Sequence, residues 1–160
     1  DTMIKVGQEF GALFGRSYTN MFWESRLDDA DVVIVAMGSL AMEAILAADM
    51  LREAGHKVGV LGLRVFRPFP KADVTKALKK SRLVVVFDKN VSYGSEGATC
   101  SEIKSALYGS SAKAVIRDFI VGLGGRDVKA REMVDVVNKS LSSMKEGDLN
   151  KEYPEWICAI

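Results

Sequence analysis

The chain is poor in the residues from which self-contained catalytic and metal sites are most often built. It has one histidine, His56, and two cysteines, Cys100 and Cys158, among 160 residues. The cysteines lie far apart and form no CxxC pair, so the chain alone offers no ligand set for a zinc site or an iron–sulfur cluster. His56 lies in an expected surface turn without a second histidine or a Cys–His or Ser–His pairing, which argues against a self-contained hydrolase.

An excess of charge of one sign is also missing. Lys and Arg total 22 against 21 Asp and Glu, for a net charge of +1, so nothing favours nucleic acid or a membrane surface as partner. No apolar run reaches the about 18 residues of a transmembrane helix, and the first residues do not have the shape of a signal peptide. We therefore expect a cytoplasmic protein with reduced cysteines. The absence of Met at position 1 indicates a piece of a longer chain.

What the sequence does contain is an alternation of strand and helix patterns. Runs that are almost entirely apolar predict strands buried on both faces, as in a parallel sheet. Four such runs occur, at residues 32–36, 58–63, 82–88 and 114–121. Segments with helical composition or spacing follow them, at residues 40–54, 73–80, 98–108 and 129–144. The alternation predicts an α/β domain with right-handed crossovers.

The carboxyl ends of parallel strands meet at one edge of the sheet, so four loops should form a rim there. They are residues 37–39, 64–70, 89–97 and 122–127. Gly38 and Ser39 either bind a ligand through free backbone N–H groups or only cap a helix. Arg64 and Arg67 either grip a phosphate or carboxylate or anchor a neighbouring domain, and we favour the neighbouring domain.

The other two rim loops supply further candidates for anion binding or an interface. The glycines of residues 122–127 permit positive φ and close approach, but their G-x-G-G spacing does not match a dinucleotide fingerprint. The sequence alone does not bring the carboxylates of Glu43 and Glu96 together as a pair for acid–base chemistry. The additional candidates are Asn90, Tyr93, Gly122, Gly124, Gly125 and Arg126. We predict no catalytic residue and no metal ligand.

Four stretches also resemble a known family in their order and spacing. They are residues 30–39, 60–70, 86–94 and 119–127, with Arg-Pro-Phe-Pro and Gly-Gly-Arg-Asp the most specific motifs. Over about residues 8–144 the chain resembles the C-terminal domain of the α subunit of pyruvate:ferredoxin oxidoreductase and related 2-oxoacid:ferredoxin oxidoreductases.

The resemblance implies a transketolase C-terminal-domain fold, a three-layer α/β/α sandwich. Its five-stranded, mostly parallel sheet has one antiparallel edge strand, expected near residues 17–23. Residues 1–29 are then an N-terminal flank carrying that strand, residues 30–144 the α/β domain, and residues 145–160 a C-terminal tail.

The resemblance also implies a function for the parent enzyme. Such an enzyme oxidatively decarboxylates a 2-oxoacid, here most closely pyruvate, to acyl-CoA, using thiamine diphosphate, Mg²⁺ and iron–sulfur clusters with ferredoxin as electron acceptor. No family catalytic residue maps onto this fragment, so we expect it to hold no cofactor and to be inactive alone. Its implied role is assembly with the remaining α-subunit domain and other subunits.

The alternative is an independent α/β module that binds a nucleotide or CoA phosphate on the rim. Both readings predict the same fold and the same glycine-rich rim. Exposure of Phe66, Phe69 and Trp156 would favour assembly.

Overall fold

The computed structural model describes residues 2–148 and 154–157, and a single sheet runs through them. Its strands are β1 (Phe22–Ser25), β2 (Val32–Met37), β3 (Val58–Leu63), β4 (Leu83–Asp88), β5 (Val115–Val121) and β6 (Glu155–Ile157). The helices are α1 (Thr2–Phe14), α2 (Gly38–Glu53), α3 (Lys71–Leu78), α4 (Ala98–Leu107) and α5 (Ala130–Lys145). No helix in the described part of the chain is long and apolar enough to cross a membrane.

The sheet has the strand order β1-β3-β2-β4-β5-β6, and every pairing is parallel except that of β1 with β3. The predicted α/β architecture, mostly parallel with one antiparallel edge strand, is confirmed. The four central strands are the four apolar runs of the sequence. They are buried on both faces, because side chains of alternate residues enter two separate cores.

Each core joins one face of the sheet to a pair of helices. Ile34 and Val85 lie in the core beneath α2 and α5, whereas their neighbours Val35 and Val86 lie in the core beneath α3 and α4. Helices on both faces complete the three layers expected from strands that are apolar at every position.

The edge strand β1 begins later than the sequence indicates. Residues 17–21 form no strand, and pairing with β3 starts at Phe22. Trp23 lies opposite Gly62, and a Cβ on Gly62 would come within 2.1 Å of the Trp23 ring. The absence of a side chain at Gly62 therefore provides the space in which β1 packs.

Two elements escaped sequence reasoning. The five-strand expectation is wrong, because β6, within the segment assigned to the tail, pairs in parallel with β5 as a sixth strand. Three residues are too few for a recognisable period. Helix α1 was not predicted either, and it buries only Gly7.

Candidate functional site

The four predicted loops do lie along one edge of the sheet, which we call the carboxyl rim (residues 37–39, 64–70, 89–97 and 122–127). Each follows one of the parallel strands β2 to β5. Helix α2 leaves β2 toward one face and α4 leaves β4 toward the other. The two adjacent strands thus form the topological switch point where open α/β sheets bind ligands.

At the β2 side of this switch point, the start of α2 is open. Gly38 has φ +57° and is exposed, as is Ser39. The residue that caps the helix is Met37, and within the part of the chain that the structure describes no side-chain cap bond is formed. The alternative that Ser39 serves as the cap is therefore wrong. The free N–H groups and the helix dipole remain available to an anion.

Both arginines of the second loop contact the chain's own side chains. The Arg67 guanidinium donates to Glu102 at 2.7 Å and to the Phe66 carbonyl at 3.0 Å, and it lies 4.2 Å from the Phe66 ring centroid. Arg64 lies 5.8 Å from the ring centroid of Tyr18. Their cationic groups are exposed but already have partners, so neither is an empty anion clamp.

In the third loop the two candidates separate. The Asn90 side-chain oxygen accepts the Ala98 N–H at 3.1 Å and so helps to cap α4. The Tyr93 side chain is fully exposed. One candidate thus stabilises a helix start, and the other projects from the surface.

The fourth loop is a left-handed glycine turn closed by an ion pair. Gly122, Gly124 and Gly125 have φ of 65°, 66° and 84°. Arg126 pairs with Glu132, whose other carboxylate oxygen accepts the Lys129 N–H at 2.9 Å at the start of α5. The Lys129 N–H bond first and the Arg126 pair second lower the pKa of Glu132. We predicted that Arg126 would pair outside the domain, and here its partner lies within it.

Sequence reasoning missed a group of acidic side chains that surround the start of α4. Asp88 is buried and accepts the N–H groups of Thr99 and Cys100 at 3.3 and 3.1 Å. Asp118 accepts the Gly97 N–H at 2.7 Å, and its other oxygen is buried without a hydrogen-bond partner among the described residues. Acidic residues at the end of one apolar strand and within another could have indicated this, because a buried carboxylate needs donors.

Glu96 completes this group, and we define the acidic cluster as Asp88, Glu96 and Asp118. Glu96 accepts the Ser101 hydroxyl at 3.0 Å and pairs with Lys104. Lys104 also lies close enough to Asp118 to lower the pKa of that carboxyl. Burial, and then repulsion from Asp88 and Glu96, raises the pKa of Asp118 to about 6 despite the Gly97 N–H bond. Burial likewise raises the pKa of Asp88.

A second missed residue connects two helices. Glu43, on α2, accepts the Ala130 N–H at the start of α5 at 2.8 Å. The residues are 87 positions apart, so only the tertiary structure reveals the bond.

The described residues of the rim do not assemble a nucleophile with a base. His56 lies between α2 and β3, at the opposite edge of the sheet, as predicted. Cys100 is fully buried, and burial raises the pKa of its thiol far above the usual range. Its sulfur lies within 4.8 Å of carboxylate oxygens of Glu96 and Asp118. The two carboxylates of this group accept the Gly97 N–H and the Ser101 hydroxyl at the start of α4, and Glu96 also pairs with Lys104.

An open, mostly parallel sheet with one antiparallel edge strand and a rim of loops defines an α/β domain of the transketolase type. One solved structure with this fold is a split-gene transketolase in an inactive β4 tetramer, at 21% identity and a TM-score of 0.58 over 75% of this chain and 42% of that one. Another is the 2-oxoglutarate:ferredoxin oxidoreductase of Magnetococcus marinus with 2-oxoglutarate, coenzyme A and succinyl-CoA bound. It is 22% identical, with a TM-score of 0.55 over 82% of this chain and 21% of that one.

The chain belongs to the family of pyruvate:ferredoxin oxidoreductase core domain II, whose model matches residues 30–133. It is 40% identical to the ketoisovalerate oxidoreductase subunit VorA of Pyrococcus horikoshii, over 94% of this chain and 38% of that subunit. It is 39% identical to the pyruvate synthase subunit PorA of Methanosarcina barkeri, over 89% of this chain and 36% of that subunit. The chain therefore spans little more than a third of the relatives it matches.

The residues present do not by themselves provide sites for the cofactors that the family implies. Two cysteines cannot supply the four thiolates of an iron–sulfur cluster. Among the described residues, the carboxylates of the acidic cluster are bonded mainly to the start of α4 and to Lys104, and they do not form an exposed group that could hold a Mg²⁺ diphosphate. No catalytic step is assigned to such a group in this chain.

Proposed function

We propose that this chain is the assembly domain of the α subunit of a 2-oxoacid:ferredoxin oxidoreductase and takes no direct part in its chemistry. Family membership supports the parent enzyme class. The complete enzyme would oxidatively decarboxylate a 2-oxoacid to acyl-CoA with thiamine diphosphate, Mg²⁺ and iron–sulfur clusters held by its other parts, and would pass electrons to ferredoxin. The nearly equal identities to a ketoisovalerate and a pyruvate enzyme make the 2-oxoacid class the proposal, with pyruvate the first substrate to test.

The observation that carries the assembly role is the surface of α1. Of its 13 residues only Gly7 is buried. Val6, Leu13 and Phe14 are 55%, 78% and 60% exposed. Contiguous exposed apolar side chains mark protein–protein contacts, because their burial against a partner is favourable by about 25 cal/mol per Å². The partner we propose is the remaining polypeptide of the oxidoreductase.

The aromatic residues expected to distinguish the two readings give a divided result. Trp156 is 51% exposed, as an assembly domain requires. Phe66 and Phe69 are half-buried and pack edge to face, with ring centroids 6.4 Å apart. Much of the apolar surface available for assembly therefore lies on α1 and at Trp156, and the aromatic pair of the rim contributes less than expected.

Location in the cytoplasm and the absence of nucleic acid and membrane partners remain parts of the proposal. The near-zero net charge supports it, and so does the free, buried Cys100, since reduced cysteines are typical of a reducing compartment. Cys158 lies outside the described residues.

The test is co-purification of the complete enzyme carrying Leu13→Asp together with Phe14→Asp. We expect the subunits to separate in size-exclusion chromatography and pyruvate-dependent viologen reduction to fall in parallel, while the 160-residue chain with the same changes keeps its melting temperature. Tyr108→Asp, at a residue 90% exposed on another surface, is the matched control and should change neither. An intact, active enzyme with the α1 changes would overturn the proposal.

A further inference from the structure

A hollow lies at the amino end of the sheet, on the side opposite the carboxyl rim, and the proposed function makes no use of it. Its volume is about 380 Å³, within the range of small-molecule sites. We call it the amino-end hollow. Its lining residues are Asp31, Val32, Gly55, His56, Lys57, Arg82, Leu83, Leu141, Met144 and Lys145.

The inner wall of the hollow is apolar. Val32 and Leu83 begin two neighbouring strands and are buried. Leu141 and Met144, on the last turns of α5, are half-buried and pack against the same core. An apolar wall of this kind accepts a hydrocarbon body and gives a hydrated ion nothing to replace its water.

The mouth of the hollow carries positive charge. Lys57, Arg82 and Lys145 line it and are exposed. Within residues 2–148 and 154–157, no hydrogen bond or ion pair engages any of the three side chains. Among the described lining residues Asp31 is the only acidic one, so Lys57, Arg82 and Lys145 give the mouth an excess of positive charge of about +2.

Backbone hydrogen bonds fix the spacing between the backbones of two of these cationic residues. The Asp31 N–H donates to the Lys57 carbonyl at 2.9 Å, and the Arg82 N–H donates to the Asp31 carbonyl at 2.8 Å. The three residues thus form a row across adjacent strands, and their backbones lie about 5 Å apart at each step. A rigid row of this kind presents the cations without an ordering cost for the backbone.

The geometry points to a binding site for a small amphipathic anion, a carboxylate or sulfonate on an apolar body, with its charge at Lys57, Arg82 and Lys145 and its body against Leu83, Leu141 and Met144. A neutral apolar molecule would leave the cations without counter-charge, and a bare inorganic anion would leave the apolar wall unfilled. The inference does not depend on the proposed function.

The cations also lie near the carboxyl ends of α2 and α5, where positive charge offsets the helix dipole. That role alone would stabilise the fold without any ligand. An experiment must therefore read out binding at the hollow separately from stability.

The probe is octanoate, titrated into the 160-residue chain labelled with ¹³C at its methionine methyl groups. Met144 reports from inside the hollow, and Met42, which is 61% exposed on α2, reports non-specific contact. We expect a saturable shift of the Met144 resonance with octanoate, a small one with octan-1-ol, and none with inorganic phosphate. Met42 should not move with any of the three.

Two variants test the two halves of the site. Lys57→Gln combined with Arg82→Gln should weaken octanoate binding at least about tenfold, and Leu141→Trp, which fills the hollow, should abolish the shift. Lys113→Gln is the matched control, an exposed lysine outside the lining, and should bind as the parent chain does. The melting temperature of each variant shows that the fold is retained.

Three outcomes would overturn the inference. They are a Met144 shift that does not saturate, equal shifts of Met144 and Met42, and unchanged affinity in the Lys57→Gln, Arg82→Gln variant. A lower melting temperature of that variant without any octanoate binding by the parent chain would assign these cations to the helix ends alone.

Discussion

The two ends of the sheet differ in whether the arginines that line the candidate binding surfaces have partners within the domain. At the carboxyl rim, Arg67 and Arg126 are bonded to Glu102 and Glu132 of the same domain. At the amino end, Arg82 makes no such bond within the described residues. Open α/β sheets usually bind ligands at the carboxyl ends of their strands. The comparison teaches that a rim can keep the position of a binding site while its charges stabilise the loops themselves.

The largest expected effect concerns the acidic cluster beneath the third rim loop. Asp88→Ala should lower the free energy of unfolding by about 2–4 kcal/mol, because two buried N–H groups at the start of α4 would lose their acceptor. Urea denaturation measures the change. The matched control is Asp127→Ala at an exposed pair with Lys129, which should change the free energy of unfolding far less than Asp88→Ala does. Equal losses of unfolding free energy in the two variants would show that Asp88 does not stabilise the carboxyl rim through the start of α4.

A smaller effect concerns pH. The pKa of Asp118 is raised to about 6 in the folded chain, above its ordinary value of 3.8, and that of Asp88 is raised too. The folded state therefore binds protons more tightly than the unfolded state between about pH 4 and 6, so these two groups make stability fall as pH rises through that interval. Above it, the cost of ionising the Asp118 carboxyl is fully present.

Asp118→Asn should remove part of that pH dependence. An asparagine oxygen can still accept the Gly97 N–H, so the variant should gain about 1–2 kcal/mol relative to the parent chain at pH 7.5, after allowance for solvent screening. At pH 4 the difference should disappear. Thermal unfolding across pH 4 to 7.5 gives the comparison, with Asp28→Asn, at an exposed aspartate, as control. A parallel pH curve for Asp118→Asn would contradict the raised pKa.

The smallest effect on stability is expected at the second rim loop. Replacing Arg64 and Arg67 together with Ala removes a surface ion pair and two ring contacts, which should cost about 0.5–1 kcal/mol in the isolated chain. We expect the same changes to weaken association in the complete enzyme. A loss of several kcal/mol in a melting experiment would show that these two arginines stabilise the fold of the domain itself. It would also sharpen the contrast with the amino end.

The central sheet could be predicted because its strands are almost entirely apolar, a pattern typical of parallel strands that are buried on both faces. The edge strands of the sheet could not be predicted in the same way. Strand β6 has three residues, and β1 is positioned by the empty space above Gly62, a property of two strands together. The bond of Glu43 to the start of α5 joins residues remote in sequence. Periodicity along the chain contains no information about such pairs.

The candidate site was predictable in position and not in chemistry. The loops meet at one edge, as parallel strands require. Whether Arg126 is free depends on Glu132, six residues later, and on a glycine turn that brings the two together. Sequence alone assigned this arginine an external anion.

Titration of the isolated 160-residue chain with coenzyme A tests the central claim most directly, with the backbone amides of Gly38, Gly122 and Arg126 followed by NMR. If the rim is part of an assembly domain, these resonances should show no saturable shift below millimolar concentration. Micromolar binding that Arg126→Ala abolishes would contradict the account and establish an independent module that binds a CoA phosphate.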